Sequence, residues 1–393
     1  MSPNKHPRTF WYLENIYIWD FCLLVMAEGF KLTPWEVSGE IDYTKLIKEI
    51  GTERISDKII SRLKKCHPLL RRGVYFSHRD FDKWLADYDK GKRVSVITGR
   101  GPSEKMHLGH LVPFLVAKSL QDEFNCEVFI PVSDDEKFYV KDISYEDVLK
   151  FAEDNILDLI ALGFKQGKTF IFQDFVYTDM YKYAARVAKK INYSTAKAVF
   201  GLKPENNVGW SFYPAMQAAH ILFPEFYRGK HMTVVPVGID QDPFIRLTRD
   251  IAENRDFNLM KPAALHASFI PSLHGGAKMS SSDSESAVIY LSDSPEEVKK
   301  KINKYAFSGG KDTVEEHRKH GGNPEIDVSY QYLKMFFEPD DNKLKKIYED
   351  YRSGKMLSGE LKSILIEKVN SFLKEHQMRK EKAKKEIGKF MLK

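Results

Sequence analysis

Between residues 94 and 269, five short apolar runs alternate with longer, mostly helix-like segments. The runs are VSVIT (94–98), CEVFIPV (126–132), TFIF (169–172), MTVVPVGI (232–239) and LHASF (265–269). Runs this short and uninterrupted read as strands covered on both faces, and strands separated by helices build a parallel sheet. The clearest intervening helix comes after Ser144, which caps it with Asp147 three residues on. Leu149, Ala152, Ile156 and Leu159 mark one face, and Gly163 ends it. The expected fold is α/β, a doubly wound parallel sheet, and such sheets bind ligands at the carboxyl ends of their strands.

The β signal fades after about Ser282. Ser294-Pro295-Glu296-Glu297 is a helix start with a cap, a proline in the first turn and two acids. From there the chain reads as helices joined by SGGKD, HGGNPEID and EPDD. The expected division is a mostly helical N-terminal extension at 1–72, an α/β domain at 73–282 and a helical domain at 283–384. A closing segment at 385–393 is expected to fold back onto the α/β domain.

A chain of 393 residues with 42% apolar and 13% aromatic residues can build more than one core. Its three cysteines, Cys22, Cys66 and Cys126, are too few and too scattered for a disulfide framework or paired zinc ligands, which fits a reduced, cytoplasmic setting. The stretch from Leu361 to Lys393 holds 10 Lys/Arg against 4 Asp/Glu, an excess equal to the +6 of the whole chain. A basic helical face of this kind is either simply solvated or attracts a polyanion such as RNA. The aromatic N-terminal run is broken by Glu14, Asp20 and Glu28, far short of a bilayer span. It reads as a docking extension, and Met26 is an alternative start.

Two motifs carry chemistry. Gly99-Arg100-Gly101 stands after the first strand, but Ser103 and Glu104 occupy the place where a dinucleotide fingerprint needs its third glycine. Just beyond lies His107-Leu108-Gly109-His110, two imidazoles at the start of a helix, suited to an anionic phosphate. After the last strand comes GGAKMSSS (275–282), a lysine on a glycine-hinged loop with three hydroxyls, able to close over a triphosphate.

In this order around a parallel sheet, HLGH and KMSSS resemble the paired signatures of the class I aminoacyl-tRNA synthetases. The series RRGVYFSHRD (71–80), TGRGPSEKMHLGH (98–110), SDDEKF (133–138), YPAMQAA (213–219), GIDQDPFIRLTRD (238–250), KMSSSD (278–283), AFSGGKDTVEEHR (306–318) and GGN (321–323) is similar to the tryptophanyl-tRNA synthetase family of eukaryotes and archaea.

The resemblance implies activation of an amino acid by Mg-ATP to an adenylate, and then transfer to tRNA(Trp). It also implies a homodimer and a helical domain that contacts the anticodon, while no protein cage for a metal is visible in the sequence. It assigns His107, His110 and Lys278 to the phosphates during transfer. Arg100, Gly101, Gly109, Gly238, Asp240, Met279 and Ser280 are assigned to ATP, and Glu136, Gln217 and Gln241 to the amino acid's ammonium and carboxylate.

The sequence departs from the family at two pocket positions. The family reads the indole N–H with a tyrosine just before TGRGP and, in eukaryotic members, a glutamine or glutamate three residues before DDEK. Ile97 and Pro131 stand there, and neither side chain accepts a hydrogen bond. Two readings are therefore open: a tryptophan enzyme with a rearranged pocket, or a paralogue that binds ATP and RNA but activates tryptophan poorly or prefers another ligand. A small nucleotidyltransferase or a purely RNA-binding protein is a third class, opposed by the chain length and by the intact histidines and lysine.

Overall fold

The computed structural model describes residues 30–32, 37–39, 42–276 and 285–392. Residues 1–29, including Met26, and the loop residues Lys278, Met279 and Ser280 lie outside the described residues. A two-stranded antiparallel pair, Phe30–Leu32 with Val37–Gly39, precedes the main sheet.

The main sheet has seven strands: β1 (Glu53–Arg54), β2 (Tyr75–Arg79), β3 (Val94–Ile97), β4 (Glu127–Val132), β5 (Thr169–Gln173), β6 (Met232–Gly238) and β7 (Ala263–Ala267). Their spatial order is β1-β2-β7-β6-β3-β4-β5. The five strands from β3 to β7 are mutually parallel and correspond to the five apolar runs. The order reverses at β3, which lies between β4 and β6, and this creates the crevice expected of a doubly wound sheet.

The sheet is mixed rather than wholly parallel, because β1 and β2 add to its edge in the antiparallel sense. β2 reads Tyr-Phe-Ser-His-Arg and has no continuous apolar run. Its buried Ser77 is accommodated by a 3.1 Å contact between Oγ and Nδ1 of His266 on β7.

Strand alternation divides the core. Val94 and Val96 on β3, and Val128, Ile130 and Val132 on β4, pack into one cluster with helices α1 (Leu108–Phe124) and α3 (Tyr145–Ala161). Ile97 and Phe129 point the other way, against α4 (Val208–Arg228) and α5 (Asp242–Ala252). Between β4 and α3 runs the short helix α2 (Asp134–Val140). Ser144 caps α3 by accepting from the N–H of Asp147, and Gly163 beyond its end takes the left-handed φ of 86°.

From Pro295 to Ala383 the regular structure among the described residues is helical, starting at Ser294 with a reciprocal capping box to Glu297. The final long helix, α6 (Ser358–Ala383), packs on α3. There the buried carboxylate of Asp158 accepts from His376 Nε2 and Lys380 Nζ, both at 2.9 Å. Beyond α6 the chain returns to the sheet. Ile171 on β5 donates to the carbonyl of Phe390 at 2.8 Å, and Leu392 donates to the carbonyl of Ile171 at 2.7 Å.

Candidate active site

A cavity of about 500 Å³ opens at the carboxyl ends of β3, β4, β6 and β7, where the strand order reverses. Its lining includes Ile97, Arg100, Gly101, His107, Gly109, His110, Pro131, Glu136, Gln217, Gly238, Asp240 and Gln241. Among the described residues, it therefore gathers all the side chains and glycines assigned from sequence. The KMSSS residues lie outside the described part.

The turn after β3 is laid against β4. Arg100 donates its N–H to the Pro131 carbonyl at 2.9 Å, and Ser133 donates to the Arg100 carbonyl at 2.9 Å. Both ends of the turn approach their neighbours closely at a glycine. A Cβ on Gly99 would lie 3.0 Å from Pro131 Cγ, and one on Gly101 would run into the side chains of Lys137 and Glu136. The Arg100 guanidinium is anchored by Nε to Asn155 Oδ1 at 2.9 Å, leaving Nη2 buried without a partner among the described residues. Burial lowers its pKa to about 10, so it is still a cation at neutral pH.

The two histidines form a reciprocal cap on α1. His107 Nδ1 accepts from the N–H of Gly109, and His110 Nδ1 accepts from the N–H of His107, both at 3.2 Å. Their rings stack with centroids 3.5 Å apart. Burial, reinforced by the Arg100 charge, lowers the His107 pKa to about 3 and holds His110 well below the usual histidine value. Both rings are thus neutral at pH 7. Because each Nδ1 accepts from backbone, each proton resides on Nε2. His107 Nε2 is buried with no partner among the described residues. The motif therefore offers N–H donors, and the positive charge comes from Arg100.

The flanks of the KMSSS loop meet this cap. Leu273 donates to the Ala287 carbonyl at 2.8 Å, closing the base of the loop. Leu108 donates to the Ile289 carbonyl at 3.1 Å, Leu291 donates to the Met106 carbonyl at 2.9 Å, and His107 pairs with Tyr290. Gly275 and Gly276 leave the last described turn with φ of 81° and 91°, conformations that favour glycine.

The opposite end of the cavity is built on one face of α4. Tyr213, Gln217, His220 and Ile221 keep helical spacing and all line it. Ile97, Ile221, Val235, Phe244 and Ile245 supply an apolar wall. Gln217 Nε2 reaches Gln241 Oε1 at 3.4 Å, and Gln241 Nε2 reaches Asp240 Oδ2 at 3.3 Å, a chain of amides that leaves Gln217 Oε1 buried and unpartnered among the described residues. The Glu136 carboxylate holds the Lys137 ammonium at 2.7 Å. Ile97 and Pro131 both line the cavity, so the two departures from the family pattern fall inside it.

Sequence reasoning missed the polar cluster behind this end. His220 Nε2 lies 2.8 Å from Asp174 Oδ1. Asp135 stands beside Asp174, and burial together with that neighbour pushes its pKa up to about 9. Asp134, Asp135 and Asp174 are also close enough to one another to hold a metal ion. All three already have protein partners: Asp134 accepts from Gln173 Nε2 at 2.7 Å and the Phe175 N–H at 3.1 Å, Asp135 accepts from the Glu136 N–H at 2.6 Å, and Asp174 meets His220.

Comparison with known proteins agrees with this geometry. The family described as tRNA synthetases class I (W and Y) matches residues 89–374. The chain belongs to that family. It is 52% identical over 373 residues to the tryptophan–tRNA ligase of Sulfurisphaera tokodaii, covering 93% of this chain and 96% of the relative. Among solved structures, the tryptophanyl-tRNA synthetase of Plasmodium falciparum superimposes with a TM-score of 0.83 at 42% identity, covering 89% of this chain and 97% of that one. The enzyme of Encephalitozoon cuniculi, solved bound to tryptophan, gives 0.82 at 33% identity, covering 90% and 98%. Within the described residues no helix is long and apolar enough to cross a membrane.

Proposed function

We propose that the chain activates tryptophan with ATP and transfers it to tRNA(Trp). The observation that carries this reading is the reciprocal histidine cap, with its Nε2 donors beside the Arg100 turn, in a chain half identical to a tryptophan–tRNA ligase.

The amino acid's carboxylate attacks the α-phosphate of ATP, forming the adenylate and releasing pyrophosphate. A ribose hydroxyl of the terminal tRNA nucleotide then takes the acyl group. Positioning and charge stabilisation carry such a reaction. His107 and His110 donate Nε2–H to phosphate oxygens and Arg100 supplies the fixed charge. Gly101, Gly109 and Gly238 let the nucleotide approach the backbone, and Asp240 takes its ribose. Lys278, Met279 and Ser280 close over the leaving pyrophosphate. Glu136, Gln217 and Gln241 hold the ammonium and carboxylate of tryptophan, which makes the Lys137 ammonium a stand-in for the substrate's own. Mg²⁺ enters with ATP as part of the substrate. The enzyme acts in the cytoplasm as a homodimer, with its helical part on the anticodon.

The test is amino-acid-dependent exchange of pyrophosphate into ATP across the natural amino acids. Exchange with tryptophan alone is expected. A silent tryptophan reaction with ATP binding intact would overturn the reading in favour of a paralogue, which no observation in the structure favours.

A further inference from the structure

The apolar end of the cavity raises a question of recognition. A buried indole N–H needs an acceptor, and Ile97 and Pro131 provide no side-chain acceptor. The polar side chains that α4 presents to the cavity are Tyr213, Gln217 and His220. The amide of Gln217 is joined to Gln241 and Asp240, toward the groups that would meet the ammonium and carboxylate. The Tyr213 hydroxyl lies beside Ser133, and Tyr213 is buried among the carboxylates of Glu136, Asp135 and Asp174. His220 differs from both. One ring nitrogen is fixed on Asp174, the residue is only 4% exposed, and it lines the cavity next to Ile221 and against Phe172. Nδ1 has no hydrogen-bond partner among the described residues.

We infer that His220 reads the indole N–H of tryptophan by accepting it at Nδ1, and that Asp174 holds the imidazole in the tautomer that leaves this lone pair bare. The inference rests on tryptophan being the substrate and names the residue that selects it. The supporting chemistry is a relay. Burial raises the pKa of both carboxyls of the Asp135–Asp174 pair, and one proton placed on Asp135 leaves Asp174 Oδ1, 2.8 Å from His220 Nε2, as the acceptor of the Nε2–H. Burial lowers the His220 pKa to about 4, keeping the ring neutral at pH 7. A neutral imidazole that donates from Nε2 has Nδ1 free to accept. Asp174 acts here through His220 and is a positioning residue.

The experiment compares two substrates in pyrophosphate exchange: tryptophan, and β-(benzothiophen-3-yl)alanine, whose ring sulfur replaces the N–H. The wild type prefers tryptophan. In His220→Ala, kcat/KM for tryptophan is expected to fall about 10- to 100-fold while the sulfur analogue changes little, so the preference collapses. His220→Asn, whose amide oxygen occupies nearly the Nδ1 position, restores part of the preference and provides the test if the alanine variant fails to fold.

Equal losses on both substrates would assign His220 a merely structural part and overturn the inference. So would a preference that survives both variants and disappears in Tyr213→Phe. A wild type inactive with tryptophan would instead refute the functional reading, which separates the two failures.

Discussion

His107 has two separable duties, and one substitution divides them. Its Nδ1 accepts the Gly109 N–H at 3.2 Å and so caps α1, while Nε2 is buried with no partner among the described residues. Loss of a cap costs about 1 kcal/mol of stability. Loss of a hydrogen bond to a charged phosphate costs about 1.5–3 kcal/mol, which is about 10- to 150-fold in rate. Asparagine is itself a good cap but is too short to place a donor where Nε2 lies. His107→Asn should therefore melt within a degree or two of the wild type and lose about 10- to 150-fold in tryptophan-dependent exchange. His107→Ala should lose the same activity and about 1 kcal/mol of stability as well. The assays are pyrophosphate exchange and thermal melting monitored by circular dichroism. Full activity in His107→Asn would show that the ring only caps the helix, and the donor role would be refuted.

Acid sensitivity should arise from buried neutral histidines. Burial lowers His67 and His220 to about 4 and His107 to about 3, against about 6.5 when unfolded. The unfolded chain binds more protons in this window, so stability is full above about pH 6.5 and is lost as pH falls toward 4, by up to about 1.4 kcal/mol per pH unit for each ring. Urea midpoints at pH 7 and pH 5 measure this, and an unchanged midpoint contradicts it. Asp135, raised to about 9, works in the opposite sense: its contribution is present below its ordinary value and is lost as pH rises through about 9. Asp158→Ala removes the acceptor shared by His376 and Lys380 between α3 and α6. Lys380 keeps Asp154 at 2.7 Å, so the cost should lie near the lower end of the range for a broken buried pair, about 3 kcal/mol by urea unfolding. Gly99→Ala brings a Cβ to 3.0 Å from Pro131 Cγ and pushes the turn off β4. The KM for ATP should rise several-fold with thermal stability nearly unchanged, and an unaltered KM would show that the turn yields freely.

The five parallel strands were legible because they are covered on both faces, which forces apolar runs. β1 and β2 were not. β1 is two exposed residues, and the buried polar positions of β2 are satisfied by partners distant in sequence, such as His266 for Ser77. The phosphate end of the site was legible because glycines and histidines are informative by type. That both imidazoles cap the helix was not, because the capping atom of a histidine depends on ring orientation. The amino-acid end was half legible. The motif YPAMQAA stops one residue before His220, although three residues from Gln217 and seven from Tyr213 keep to one helical face. Asp135 and Asp174 lie beyond the ends of two different strands, and only the register of β4 with β5 brings them together.

The short pairing of residues 390–392 with Ile171 has a consequence for synthesis. β5 is the outer strand of the sheet, and an uncovered outer strand invites pairing with another molecule. Its natural cover is made roughly 220 residues later, on the order of 10–40 s of ribosome time. Throughout that interval the nascent α/β portion carries an open rim that only the far end of its own message can seal. Slower translation of the intervening helices lengthens the exposure without altering a single contact in the finished protein.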